Sequence, residues 1–402
     1  MTKRLQTLLA FAMLAIAPLA AAQDDYAERE ALELARQQAF RDGMEAIVTD
    51  LNTQSFYRFV SAIDSDDMID RIFGLRLIDQ RIQRDFREDM EVFDNFSAFV
   101  EATHQAEAQD GIKANLLVVE SRGDRGRAVV RFDMPFYQVN YMEYDLSLDA
   151  NNRVVINDWT DYLWGHTFSE RMGLSMVQAH PNDNAVRKLI DVNVRSQDVF
   201  QVTEILKAAR DYNFDRFFQI YDTMDARLQR QRVVILIGLD SARVARRRAY
   251  QRRMLEAMAE SFPDEPLYAL SLLDYYFPTQ QYELAHDALV RLKNELRIDD
   301  GVMAARLSSA TLVMGEIEDA NAYAERAVEL EPDLEIGWWS LLRTRVVLQN
   351  HAGAVEVVDR LKDEYGHTLD PATLNKDPLF RYFVRSEEYR AWAAENVIAG
   401  SG

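Results

Sequence analysis

The chain contains no cysteine, so neither a disulfide nor a lipid-modified N-terminal cysteine is available to it. No apolar run reaches the about 20 residues that a membrane-spanning helix needs; the run from Leu8 to Ala17 is much shorter, and so is Val233 to Leu239. Positive charge is scarce. Lys and Arg number 46 against 66 Asp and Glu, a net charge of -20, which argues against nucleic acid as a general partner. There is no phosphate-cradling glycine loop, no HExxH, no GxSxG elbow, and the six histidines are scattered without metal-ligand spacing. Neither a metal nor a cofactor is expected, and no catalytic residue is assigned.

What the chain does have begins at its start. Lys3 and Arg4 precede the apolar run, and Pro18 and Ala20-Ala21-Ala22-Gln23 follow it, the layout of a secretory signal cleaved after Ala22. Residues 1–22 are therefore expected to be removed, which takes two positive charges with them, and the mature protein is expected in the periplasm or outside the cell. A mature chain of about 380 residues buries a sizeable core without disulfides.

From Asp24 to about Asp110 the apolar residues fall at helical spacing, as in Phe56, Phe59, Val60 and Ile63. After Gly111 the period changes to two, in KANLLVVESRG, RGRAVVRFDM, NYMEYDLSLD and RVVINDWTDYL, separated by turn residues such as those of DANNR. Helices followed by a four-stranded antiparallel meander predict an α+β domain over 23–175. That order, ending in VVINDWTDYLWG, resembles the NTF2-like or cystatin-like group of small α+β domains. The resemblance implies a concave sheet that can form a pocket, in some members with an Asp/His pair for acid-base chemistry.

Beyond the turn residues His180 to Asn184 no strand signal remains. Counting from Gly301, Leu307 and Ser308 fall at helix-packing positions, Gly315 in a turn, Ala320, Ala324 and Ala327 on a second helix, and Pro332 at its end. Units from Pro266 (Leu272, Leu273, Tyr276, Tyr282, Ala285, Leu292) and from Glu335 (Trp338, Leu341, Leu342, Ala354) follow the same plan, with Arg345 and Gly366 as departures. Over 266–368 the chain resembles the tetratricopeptide repeat (TPR) family, which implies an all-α helical solenoid. Residues 185–262 read as a helical connector or as degenerate repeats, and 369–402 as capping helices and tail.

The resemblance also implies a partner-binding groove lined by the first helix of each repeat: Leu270, Asp274 and Phe277, then Ser309 and Leu312, then Trp339 and Arg343, with Trp338 turned to inter-helix packing. The Lys and Asn residues by which some members clamp a carboxylate are missing, and Trp and Arg are residue types that dominate interface energetics. Two further features are candidates. Nine arginines between Arg227 and Arg253 stand against one acid, Asp240; Arg243, Arg246, Arg247, Arg248, Arg252 and Arg253 form its basic patch, which either faces acidic helices of the same chain or receives an anionic partner. Asp161, His166 and Tyr137 outline an alternative pocket in the N-terminal domain, where such residues otherwise cap a strand end or pack on the sheet. The expected function is an exported, non-catalytic scaffold that binds a protein or peptide, the alternative an enzyme or small-molecule binder using that pocket.

Overall fold

A computed structural model describes residues 29–93, 112–190 and 194–396; the expected signal segment 1–22 lies outside them. The chain divides into two compact units. The first runs through Thr160 and takes up the chain again at Thr167–Gly173; the second holds Asp161–His166 and everything from Leu174 onward.

In the first unit, residues 29–52 are helical, followed by helices Tyr57–Ser61, Ser65–Gly74 and Gln80–Phe93. Asp64 opens the third of these as its N-cap, its carboxylate accepting from the backbone N–H groups of Asp66 and Asp67. The sheet is a consecutive meander of β1 (Lys113–Arg122), β2 (Arg125–Met134), β3 (Gln138–Leu148), β4 (Val154–Asp161) and β5 (His166–Thr167). The four strands read from the alternating pattern are present, and the two-residue β5 joins them. Its brevity explains why no periodicity announced it.

The pleat sends alternate side chains to opposite faces, and the helix-covered face carries the aromatic core. Trp159 stacks on Phe168 with ring centres 4.0 Å apart, and Phe59 meets Trp159 edge-on at 5.5 Å and Tyr144 at 6.2 Å. Tyr141 and Tyr144 are buried, so they pack the sheet. Tyr137 is different. It ends a single 3-10 turn, Pro135–Tyr137, between β2 and β3, with φ +59 and half its surface in solvent.

Among its described residues, the second unit has strand only at Asp161, the end of β4, and His166, the edge of β5; its regular structure is otherwise helical. The turn residues near 182 prove to be a helix start, where the Asn182 side chain accepts from Ala185 N–H at 2.9 Å. Five helix pairs follow: Ser196–Arg210 with Phe214–Thr223, Arg232–Val244 with Arg248–Ser261, Ala269–Tyr276 with Tyr282–Leu296, Gly301–Met314 with Ile317–Leu330, and Glu335–Val347 with His351–Tyr365.

Every pair turns the same way. Tyr212, Arg246, Gln280, Gly315 and Gln349 hold left-handed backbone and lie 34, 34, 35 and 34 residues apart. The residue after each donates its N–H to the carbonyl five positions back, Asn213 to Ala208, Arg247 to Ala242, Gln281 to Tyr276, Glu316 to Thr311 and Asn350 to Arg345, at 2.8 to 3.2 Å. This closure satisfies carbonyls that the first helix leaves unbonded. The period thus runs back through 196–261, so that stretch has the backbone of repeats, making a TPR-like helical region of five pairs.

Small side chains let the helices approach. Ala320, Ala324 and Ala327 are fully covered, and Glu331, capping the second helix of that pair, accepts the N–H of Gly301 at 2.7 Å. At the far end Leu369, Leu374, Phe380, Phe383, Tyr389 and Trp392 close a core shared with Leu341, Leu342, Val358 and Leu361. Tyr389 donates to the Leu369 carbonyl at 2.7 Å, and burial pushes its phenol up to about 12.

Candidate functional site on the first helices of the pairs

The face formed by successive first helices is where the repeat register places a binding groove. The structure distributes its members unevenly. Asp274 and Arg343 are exposed; Phe277, Ser309, Leu312 and Trp339 are half-buried; Leu270 is buried at 6% exposure. Leu270 is therefore core, and a partner does not reach it without rearrangement.

Asp274 is open to water yet surrounded by chain. Desolvation raises its carboxyl above the ordinary aspartate value, and the nearby charges of Arg243 and Arg306 pull it back only in part. Three consecutive first helices thus bring Arg243 and Arg306 to act on Asp274. Ser309 spends its hydroxyl on the Ala305 carbonyl at 3.0 Å.

The two adjacent tryptophans do not divide as the register suggests. Both are half-buried and both pack against the C-terminal core. Trp338 donates to the Pro332 carbonyl at 2.8 Å beneath the guanidinium of Arg360, 4.3 Å from the ring centre. Trp339 donates to Glu335 at 3.0 Å and meets the ring of His367 edge-on at 5.2 Å. His367 follows the last pair in sequence, which is why the register alone left Trp339 open.

At the positions 34 residues before Leu270 and Phe277, Leu236 and Arg243, the face is already occupied. The occupant is the turn Asp161–His166. Its Leu163 carbonyl accepts from Ser271 Oγ at 3.1 Å and its Gly165 carbonyl from Arg232 at 3.3 Å. The guanidinium of Arg243 lies 5.3 Å from the ring centre of Trp164. Ser271 sits one residue from a predicted groove position and Arg232 belongs to the arginine island; only the fold brings Leu163 and Gly165 to them.

This placement corrects the alternative pocket. Asp161 is 5% exposed and its carboxylate accepts from the N–H groups of Leu163 and Trp164 at 2.9 and 3.0 Å, so it caps its own turn. His166 is buried. Both belong to the helical unit, whereas Tyr137 is exposed on the other.

The basic patch is largely spent within the chain. Arg253 pairs with Asp222 at 2.6 Å and lies over the rings of Tyr221 and Tyr250; Arg247 pairs with Asp215 at 2.6 Å. Elsewhere in the island, Arg230 pairs with Glu260 at 2.5 Å and Arg227 with Asp198 at 2.6 Å. The side chain of Asp198 is sealed from solvent, and Arg195 first, with Arg227, holds its carboxyl far below the usual range. Arg243 goes to Trp164, as above, and Arg246, Arg248 and Arg252 are exposed. Acidic residues 29 to 32 positions away compensate four of the nine arginines, and nothing in the patch supports an anionic partner.

No protein-family model matches the chain, and no curated protein matches it. Among solved structures, a chain titled MamA MSR-1 C2 aligns at 16% identity over 43% of this chain and 100% of its own, with a TM-score of 0.31. A second, titled MamA AMB-1, aligns at 16% identity over 44% of this chain and 97% of its own, also at 0.31. Scores this low carry no argument, and the TPR-like character of the helical unit rests on its own turns and helix pairs.

Proposed function

We propose that this chain is a non-catalytic interaction scaffold, exported after removal of residues 1–22, which takes a protein or peptide along the first helices of its later pairs. The observation that supports this reading is the unbroken set of five closed helix turns, since stacked pairs held by one repeated turn leave a continuous row of first helices. Within that row the accessible stretch runs from Asp274 by way of Ser309 and Leu312 to Arg343. The stretch at Leu236 and Arg243 is taken by Asp161–His166 and is not part of the proposed surface. The strong negative charge favours solubility and disfavours nucleic acid.

Site-specific photo-crosslinking in the native host tests this. A photoreactive residue at Ser309 or at Arg343 is expected to capture a discrete partner, and one at Glu325, exposed on a second helix, is not. Equal adducts at all three positions, or none, overturn the reading. Recovery of envelope-fraction protein that still carries Met1 overturns the export part alone.

A further inference from the structure

A cavity of about 390 Å3 opens in the first unit beside Asp158. Its charged lining comes from four elements: Arg71 of the helix Ser65–Gly74, Arg127 of β2, Glu143 and Asp145 of β3, and Asp158 of β4. Both guanidinium groups are committed. Arg127 pairs with Glu143 at 2.6 Å and Glu120 at 3.3 Å, and Arg71 with Asp67 at 2.9 Å and Asp145 at 3.1 Å.

Asp158 is the exception among the three lining carboxylates. It makes no ion pair with a described residue, and its oxygens accept only from neutral donors: Ser169 Oγ at 2.5 Å, Trp159 N–H at 2.9 Å and Ser169 N–H at 3.2 Å. Its exposure is only 9%. Burial raises its carboxyl above the ordinary value, and the Ser169 and Trp159 bonds and the field of Arg71 offset that in part. A carboxylate removed from water without a counter-ion is costly, and here the space next to it is large enough for a small molecule.

We propose that this cavity binds a small organic ammonium ion, its charge set against Asp158. The charge balance selects the class of ligand. An anion would meet Asp158 with both guanidinium groups already paired to Glu143 and Asp145, whereas a cation balances it. A bare metal ion fits less well, because the Asp158 oxygens already receive three hydrogen-bond donors and offer few open lone pairs.

The test is a titration of the full chain with butylammonium chloride, followed by NMR shifts or calorimetry, with sodium butyrate as the isosteric anion. Saturable butylammonium binding without butyrate binding is expected, and Asp158→Asn should weaken it by at least about tenfold. Arg71→Gln, which removes positive charge from the wall and leaves Asp158 intact, should tighten it. Equal binding of butyrate, undiminished binding by Asp158→Asn, or unchanged or weaker binding by Arg71→Gln overturns the proposal, as does no binding at all. Should Asp158→Asn fail to fold, the Arg71→Gln and butyrate arms still decide.

Discussion

A methyl group placed on the Cα of Gly165 would stand 2.7 Å from two ring carbons of Tyr268, and the glycine itself holds φ at +74. The turn that carries Gly165 is therefore pressed against the start of the third helix pair as closely as backbone allows. Gly165→Ala adds both an overpacking term and a left-handed backbone term, for an expected loss of about 2–3 kcal/mol. Urea unfolding of the variant checks this, and an unchanged midpoint would mean that the turn sits loosely on the helices.

The repeated left-handed turn makes a second prediction. Four of its five positions carry side chains that pay a steric penalty there, and only Gly315 does not. Gln280→Gly and Gln349→Gly should each raise stability, by about 0.5–1 kcal/mol once the added freedom of the unfolded chain is deducted. Gly315→Ala should lower it by about 1 kcal/mol. A thermal-shift series reads all three, and opposite signs for the glycine and alanine variants are the expected signature.

Asp198 supplies a pH dependence. Its folded carboxyl is depressed, Arg195 being the larger cause, so its contribution is fully present above the ordinary aspartate value and is lost as pH falls through the depressed folded value. Asp198→Asn should cost about 1–3 kcal/mol at neutral pH. The gap between wild type and variant should close in strongly acidic solution, below about pH 4, in denaturation curves taken across that range. A gap independent of pH would assign the loss to packing.

The arginines of the island separate into two kinds. Arg253→Ala removes the ion pair with Asp222 and the contacts over Tyr221 and Tyr250, with an expected cost of about 1 kcal/mol. Arg252→Ala, one residue away and exposed, should stay within about 0.5 kcal/mol of wild type. Equal losses in calorimetric scans would refute the distinction.

Some of this was legible because it is local. Alternation of apolar residues marked the four long strands, and alanines at fixed intervals marked the pairs near 301–330. The first two pairs were harder to see. Where the fourth pair has Ala320, Ala324 and Ala327, the first has Phe217, Tyr221 and Met224 and the second Gln251, Leu255 and Met258. The turn that makes them equivalent is a backbone closure, and Tyr212 and Arg246 can adopt it at a cost. Side-chain identity therefore carried little of that signal.

By itself the sequence determined the α+β start, the helical remainder, the 34-residue period of the later pairs and the absence of disulfides, because each depends on residues a few positions apart or on composition. The tertiary structure decided what fills the groove and what the arginines face. Leu163 meets Ser271 across 108 positions, and Arg253 meets Asp222 across 31. Such pairings depend on how the helices stack, and no spacing within a single segment encodes them. The same holds for Asp158: its place in β4 was readable from the period of the strand, but its lack of a counter-ion follows from where Arg71 and Arg127 find their partners.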